Sequence, residues 1–205
     1  SYSVTGVQTC ALPICDEGKV LSLSPLLGKV VCLAFQDLDD PGRALVLAVP
    51  QQGALFSEAD PEGLAFLPGE RPLLEAFWQV AAGAPLLVSF NGRRFDVPFL
   101  MVRAAIHGVA VTRDLLGPRF SAKPHLDLID LVTCHGALRG PSGLEVCCHA
   151  FGIPTPKGDL DGSQVAHAYA QGRIEEIARY CLADTNATAE LYRRLGASLL
   201  GGVQG

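Results

Sequence analysis

The chain carries a carboxylate within a segment that is otherwise apolar. The stretch "LVSFNGRRFDVPFL" covers residues 87 to 100 and places Asp96 between Phe95 and Val97. An ionised carboxylate is costly to bury unless it is paired, hydrogen-bonded or bound to a metal. Asp96 is therefore either the N-cap of the following helix, a position at which Asp is preferred, or a group with a chemical role.

A second set of polar groups lies in "ARYCLADTNATAELY". On a helix, Tyr180 and Asp184 are four residues apart, so a phenol and a carboxylate share one face. The same spacing occurs in ordinary amphipathic helices, where the Tyr is half-buried and the Asp is solvated. The pair alone does not separate these two interpretations.

The elements that must position these groups alternate between strands and helices. Residues 29–35 and 44–49 are short apolar runs joined by Asp, Pro and Gly, which predicts a β-hairpin. Helical spacing at 71–83 precedes a buried strand at 85–90, and helical spacing resumes at 97–106. Helix therefore leads into strand and strand into helix, as in α/β proteins.

The sequence after that strand predicts a site at its carboxyl end. Asn91-Gly92 is a tight-turn sequence, and open α/β sheets tend to carry their sites where such turns follow strands. A basic loop covers 109–123, and "HLDLIDLV" reads as a short extended or helical segment. Further helices are predicted over residues 143–151, 162–171 and 174–200. Together these elements predict an α/β sandwich around a mixed sheet.

Composition limits the class of protein. With 205 residues, 49% of them hydrophobic and 18% charged, the chain can bury one sizeable core, which favours a single domain. No window approaches the roughly 18 uninterrupted apolar residues of a membrane span. Seven cysteines without a CxxC pair indicate reduced, buried thiols, and the first residues do not resemble a signal peptide. We therefore expect a cytoplasmic protein with no membrane partner.

The net charge of −5 hides an asymmetry. Residues 37–80 hold eight acids and two bases, a net charge of −6, whereas residues 93–157 hold eight bases and five acids, a net charge of +3. A local basic zone of this kind can follow a phosphate backbone, and it can equally be ordinary solvated surface.

Taken together, the two polar stretches resemble a known family. "FNGRRFDVPFL" resembles the second exonuclease motif of family B DNA polymerases, with Asn91, Phe95, Asp96 and Pro98 at matching positions, and "YCLADT" resembles the third motif of tyrosine-type DEDD exonucleases. The connecting stretches "HLDLIDL", "SGLEVCCHAFGIP" and "KGDLDGSQVAHAYAQGRIEEIARYC" are similar to those of predicted 3′→5′ exonucleases related to the polymerase B proofreading domain. The likeness runs from about Leu23 to Leu195.

This resemblance implies a ribonuclease H-like fold with three layers, a mixed sheet flanked by helices. It also implies phosphodiester hydrolysis by two Mg²⁺ or Mn²⁺ ions, which prefer hard oxygen ligands such as carboxylates. On this basis Asp96 would hold the metal near the leaving group and Asp184 the metal that carries the attacking water. Tyr180 would orient that water by a hydrogen bond.

The resemblance also implies a substrate, the 3′ end of single-stranded or frayed DNA, or of RNA. Asn91 and Phe95 would lie beside the terminal nucleotide, with the Phe95 ring as a stacking or wedging surface, and Arg93 would contact the strand. Nothing in the sequence identifies a contact to a 2′-hydroxyl, so the choice between DNA and RNA stays open.

The first motif of the family is missing. A DEDD enzyme takes an Asp and a Glu, spaced D-x-E, from a first strand, but residues 1–15 contain no acid. Asp16 and Glu17 are adjacent and would point to opposite faces of a strand. Asp37 and Asp39 have the right spacing, but turn residues follow at once, so they belong to a hairpin tip.

Two other groups have a spacing that suits metal binding. His125 and Asp127 lie two residues apart and share a face if the segment is extended. They are a candidate metal pair, and hydrogen bonding at the end of a loop is the alternative.

The segment "SYSVTGVQTCALPIC" resembles the translated read-through of a sequencing adapter. We therefore expect residues 1–15 to be non-native and residues 16–205 to form a single exonuclease domain. Either the sheet is destabilised, or the segment fills the empty strand position through main-chain hydrogen bonds alone. The chain should then bind metal weakly and hydrolyse little. Alternatives are a nucleic-acid-binding module without chemistry and a scaffold for protein contacts.

Overall fold

The structure is a computed structural model. It describes residues 4–13, 24–51, 63–118, 121–140, 142–154, 160 and 162–196. Asp16, Glu17 and the last four residues of the helix predicted over 174–200 lie outside the described residues.

The described strands form one mixed sheet in the order β4-β3-β2-β1-β5-β6. Their bounds are β1 Val4–Pro13, β2 Gly28–Asp37, β3 Ala44–Ala48, β4 Leu64–Phe66, β5 Leu87–Ser89 and β6 His125–Asp127. β1, β2 and β3 pair antiparallel, whereas the β3–β4, β1–β5 and β5–β6 pairs are parallel. The predicted hairpin of β2 and β3 is confirmed, and β4 is a strand that the sequence did not predict.

The central position of the sheet belongs to β1. It pairs with β2 from Val4↔Asp37 to Pro13↔Gly28, with two register irregularities, and with β5 at Val4↔Leu87. Of the two outcomes expected for this segment, the structure shows the second, because residues 4–13 occupy the strand position by main-chain pairing.

Helices cover both faces of the sheet. They are α1 Glu70–Gly83, α2 Asp96–His107, α3 Leu128–Val132, α4 Leu144–Ala150, α5 Val165–Ala170 and α6 Ile174–Gly196. α1 and α2 pack on one face around Phe77 and Leu100. α4, α5 and α6 pack on the other face around Cys181 and Leu191. This is the three-layer α/β architecture with a mixed sheet that the sequence predicted.

A buried ion pair fixes α2 against the sheet. The Glu70 carboxylate accepts from the Val30 N–H at 2.8 Å and from two nitrogens of Arg103 at 2.8 and 2.6 Å, and His107 Nε2 lies 2.9 Å away. Burial alone would raise the pKa of Glu70, but these hydrogen bonds outweigh it and hold the pKa below its ordinary value. The helix that begins at Asp96 is thereby anchored at its far end.

Five of the six described cysteines are buried, and Cys134 is exposed. Among the helices that the structure describes, none combines the length and the apolar character needed to cross a membrane.

Candidate functional site

The turn after β5 presents Asp96. Asn91 adopts a left-handed conformation with φ 62°, and α2 begins at Asp96 itself, with Phe95 in the capping position. Asp96 is therefore not the N-cap, which corrects that interpretation of its role. The carboxylate is 4% exposed, in keeping with the buried position expected from its apolar flanks.

Asp127 holds this turn from the neighbouring strand. Its Oδ1 accepts from the Asn91 N–H at 2.6 Å, and its Oδ2 accepts from the Arg93 N–H at 2.9 Å. The Ile129 N–H donates to Oδ1 at 3.3 Å. Burial raises the pKa of Asp127, and the three N–H donors oppose that rise. The loop-end hydrogen bonding expected as the alternative to a metal role is what the structure shows for this residue.

The Arg93 guanidinium points into the protein. One terminal nitrogen donates to the carbonyls of Leu116 at 2.8 Å and Pro118 at 3.2 Å, and the other donates to those of Ser121 and His125, each at 2.5 Å. These donors are committed to the loop before β6. The expected contact between Arg93 and the nucleic-acid strand has no support in this geometry and stays a prediction.

His125 lies beneath the turn, fully buried, between Ser89 and a carbonyl. Its Nδ1 lies 2.8 Å from the Leu115 oxygen, and its Nε2 lies 2.7 Å from Ser89 Oγ. A carbonyl only accepts, so Nδ1 carries the proton and the Ser89 hydroxyl donates to Nε2. Burial lowers the pKa of His125 to about 4, so the ring is neutral near pH 7.

Tyr180 and Asp184 meet on one face of α6, as their spacing predicts. The Tyr180 hydroxyl donates a hydrogen bond to the Asp184 carboxylate. Burial raises the pKa of Asp184, and this hydrogen bond partly offsets the rise. Burial and the charge of Asp184 raise the pKa of Tyr180 well above its ordinary value, so the phenol keeps its proton.

The central strand passes beneath this pair without offering a carboxylate. Cys10 of β1 is 4% exposed and packs in the cluster that contains Tyr180 and Cys181. Residues 4–13 read "VTGVQTCALP" and contain no Asp or Glu. The central strand therefore carries none of the carboxylates that Mg²⁺ prefers as ligands.

The remaining acids do not replace the missing pair. Asp37 is the last residue of β2, and its Oδ1 accepts from the Asp39 N–H at 3.0 Å, so both acids lie at the hairpin tip that the sequence predicts. Among the residues that the structure describes, no group of three or more His, Cys, Asp or Glu is arranged to hold a metal ion. The described donors do not fit the two ions that the family implies.

Asn91 and Phe95 border the turn in ways that suit a ligand. Asn91 Oδ1 is buried and accepts no hydrogen bond from the part of the chain that the structure describes. The Phe95 ring is half-buried and packs against Phe99 with 5.7 Å between ring centroids, which leaves part of the ring accessible.

Sequence reasoning missed how closely the turn is packed. A Cβ on Gly92 would lie 2.3 Å from Ser89 Oγ and 3.6 Å from Asp96 Oδ2. The Asn-Gly pair indicated a turn, but the sequence did not indicate that Gly92 packs directly against the Ser89 side chain, which is hydrogen-bonded to His125 on the next strand.

The sheet order and the helices on both faces define a ribonuclease H-like fold, with candidate groups at the β5 turn and on α6. The structure of the family B DNA polymerase from the hyperthermophilic archaeon Pyrobaculum calidifontis superposes on 95% of this chain with a TM-score of 0.65 and 22% sequence identity. At that identity the likeness supports the fold alone.

Sequence comparison identifies the family. The sequence model of the "Predicted 3'-5' exonuclease related to the exonuclease domain of PolB" matches residues 67–200. The chain belongs to this family. DNA polymerase 1 of Aeropyrum pernix is 36% identical over 74 residues, which are 35% of this chain.

The matched polymerases are much longer proteins. The alignments cover 8% of the Aeropyrum polymerase and 25% of the Pyrobaculum polymerase chain. This chain therefore spans only part of the length of each polymerase, and the sheet and helices described above correspond to the part shared with the Pyrobaculum polymerase.

Proposed function

We propose that this chain is a 3′→5′ exonuclease domain that acts on the ends of single-stranded or frayed DNA, and that the chain as given is catalytically impaired. Membership of a family related to the polymerase B exonuclease domain, over residues 67–200, carries the proposal. The hydrogen-bonded Tyr180–Asp184 pair and the buried Asp96 support it, because they are the groups that the second and third motifs imply.

Divalent metal ions are the cofactors that the family implies, Mg²⁺ or Mn²⁺, and they would supply charge stabilisation at the scissile phosphate. Only two of the four expected carboxylates, Asp96 and Asp184, are present at family positions. We therefore assign to the chain only what its own residues can do. Tyr180 keeps its proton and orients the Asp184 carboxylate. Asn91 Oδ1, which has no donor among the described residues, offers an acceptor to a terminal hydroxyl, and Phe95 offers a ring face to a terminal base.

The decisive experiment restores the missing pair. Cys10 packs near Tyr180, so an acid at position 10 faces α6. We define the completed chain as Gln8→Asp with Cys10→Glu, or Cys10→Asp with Leu12→Glu; both place two acids on one face of β1 in the order D-x-E. Nucleotide release from a labelled single strand is measured with Mg²⁺ and with Mn²⁺.

We expect release from a completed chain and roughly a thousandfold less from the chain as given, since two metal ligands are worth several kcal/mol to the transition state. If neither completed chain releases nucleotides although both bind the strand, the enzyme proposal is wrong. Full activity of the unmodified chain would show that the prediction of a missing metal-binding motif is wrong.

A second candidate function is a nucleic-acid-binding module without chemistry, which the acid-free central strand favours. It predicts binding of a single strand that weakens steeply with salt and is unchanged when EDTA removes divalent metal. The exonuclease proposal predicts that metal alters binding in the completed chain.

A further inference from the structure

The segment around β6 holds the β5 turn by four hydrogen bonds that run in both directions. The Asp127 carboxylate accepts from the N–H groups of Asn91 and Arg93. The Arg93 side chain donates back to the His125 carbonyl, and the His125 ring accepts from Ser89. Each of the two segments therefore contributes both backbone and side-chain groups. Together these bonds determine the relative position of the two segments more closely than a single bond would.

The Asp127 interaction acts on the least favourable backbone conformation of the turn. Asn91 has φ 62°, a region that L-residues other than Gly rarely adopt, although Asn tolerates it better than most. Two N–H groups of this turn converge on one carboxylate that is 2% exposed. Without that acceptor, both N–H groups would be left without a partner, and the turn would relax toward conformations that satisfy them.

The Asn91 backbone conformation sets the direction of its side chain. Asn91 Oδ1 is buried and accepts no hydrogen bond from the described residues. The backbone N–H of Asn91, in contrast, donates to Asp127. A buried, unpaired acceptor is costly in a folded protein, and a donor from a bound ligand would remove that cost.

We infer that Asp127 is a positioning residue of the candidate site: it holds Asn91 so that Oδ1 receives the 3′-hydroxyl of the terminal nucleotide. The inference rests on the proposed function. Asp127 does not touch the nucleotide in this arrangement and acts through Asn91. The site should therefore distinguish a strand that ends in a 3′-hydroxyl from one that ends in a 3′-phosphate, because only the hydroxyl can donate to Oδ1.

The test measures the affinity of the chain as given for two fluorescein-labelled oligodeoxythymidines that differ only in the 3′ group, in EDTA at low salt, where no hydrolysis occurs. We expect the 3′-hydroxyl strand to bind about tenfold more tightly, the size of one net hydrogen bond. In Asp127→Asn the amide nitrogen faces the Arg93 N–H and cannot accept from it, so the ratio should fall to about one. Asp130→Asn removes the same charge three residues away and should keep the tenfold ratio.

A merely structural role for Asp127 would weaken both strands equally and leave the ratio unchanged, so an unchanged ratio in Asp127→Asn overturns the inference and leaves the exonuclease proposal standing. Asn91→Gly, whose backbone accepts a positive φ, tests the same arrangement if Asp127→Asn does not fold. It must lose the ratio, and its retention also overturns the inference. If the parent chain binds neither strand, both the inference and the proposed function are wrong.

Discussion

The two sides of the candidate site are held in different ways. The turn from Ser89 to Asp96 is held by side chains of the neighbouring strand, through Asp127, His125 and Arg93. β1, which lies beneath Tyr180 and Asp184, is held in the sheet by main-chain pairing with β2 and β5. A strand position accepts many sequences because every residue brings the same N–H and C=O groups, whereas the turn requires particular side chains.

This difference explains how the sheet forms around a central strand that carries no acid. β1 forms the centre of the sheet although "VTGVQTCALP" includes Gly and Pro and no acid. Main-chain pairing is enough to place the strand in the sheet, but it cannot supply a carboxylate. The fold of such a domain is therefore a poorer guide to its activity than the side chains at its central strand.

The largest expected effect concerns the two acids that are present. In the completed chain, Asp96→Asn or Asp184→Asn should reduce nucleotide release by at least about a thousandfold, since each removes a carboxylate that the family implies as a metal ligand. Circular dichroism should show an unchanged fold. A variant that retained more than a tenth of the activity would remove that residue from the mechanism.

The next largest effect is on the pH dependence of stability. It concerns His125, which lies beneath the β5 turn. The pKa of His125 is 6.5 when unfolded and about 4 in the folded protein, so the unfolded chain binds a proton first as the pH falls. The contribution of His125 to stability should be constant above about pH 7 and fall by about 3 kcal/mol between pH 6.5 and 4. Urea unfolding measures it. His125→Asn cannot titrate and should show a shallower dependence.

Asp127 contributes with the opposite sign. Its pKa is raised in the folded protein, so its contribution to stability is present at low pH and is lost as the pH rises through that raised pKa. Because parent and His125→Asn share Asp127, the difference between their curves isolates His125. Parallel curves for the two proteins would contradict the buried, neutral assignment of the ring.

A smaller effect on stability is expected when alanine replaces a glycine at the β5 turn or beside α6. Gly92→Ala would place a Cβ 2.3 Å from Ser89 Oγ and 2.7 Å from Ser89 Cβ, and should lower the free energy of unfolding by about 2 kcal/mol. Gly162→Ala would place a Cβ 3.7 Å from the Tyr180 hydroxyl, an ordinary contact, and should change it by less than about 0.5 kcal/mol. Equal effects in thermal unfolding would show that the turn is no more tightly packed than the α6 side.

The smallest effect concerns the Tyr180 hydroxyl. Tyr180→Phe removes the donor that lowers the pKa of Asp184, so that pKa should rise further, as followed by carboxyl ¹³C resonances. Stability should fall by about 1 kcal/mol, and the completed chain should lose about tenfold in rate while metal binding is spared. Equal activity of the variant and its parent would remove Tyr180 from the mechanism.

Several features of the candidate site could be predicted from the sequence because they depend on local patterns. Tyr180 and Asp184 lie on one face because they are four residues apart on a helix. Asp96 follows a turn that the Asn91-Gly92 pair indicates. The expected helix bounds were close where apolar spacing is regular, as in α1 and α6. β4, with three residues, is too short for an alternating pattern, so its sequence carried little signal.

Other features of the structure could not be predicted for want of long-range information. Arg93 was expected at the nucleic acid because it lies beside the motif, but its guanidinium donates to carbonyls that are 23 to 32 residues away. The N-cap interpretation of Asp96 was wrong because the helix begins one residue earlier, at Asp96 itself, with Phe95 in the capping position.

By itself, the sequence determined the family motifs at Asn91, Asp96, Tyr180 and Asp184, the alternation of strands and helices, and the absence of an acid before Asp16. These are properties of residue type and spacing, which need no partner elsewhere in the chain. Only the tertiary structure decided that β1 fills the centre of the sheet, that Arg93 is turned inward, and that Asp127 holds the turn. Those outcomes depend on which backbone N–H and C=O groups of distant segments still need a hydrogen-bond partner when the strands pair. A local sequence pattern does not contain that information.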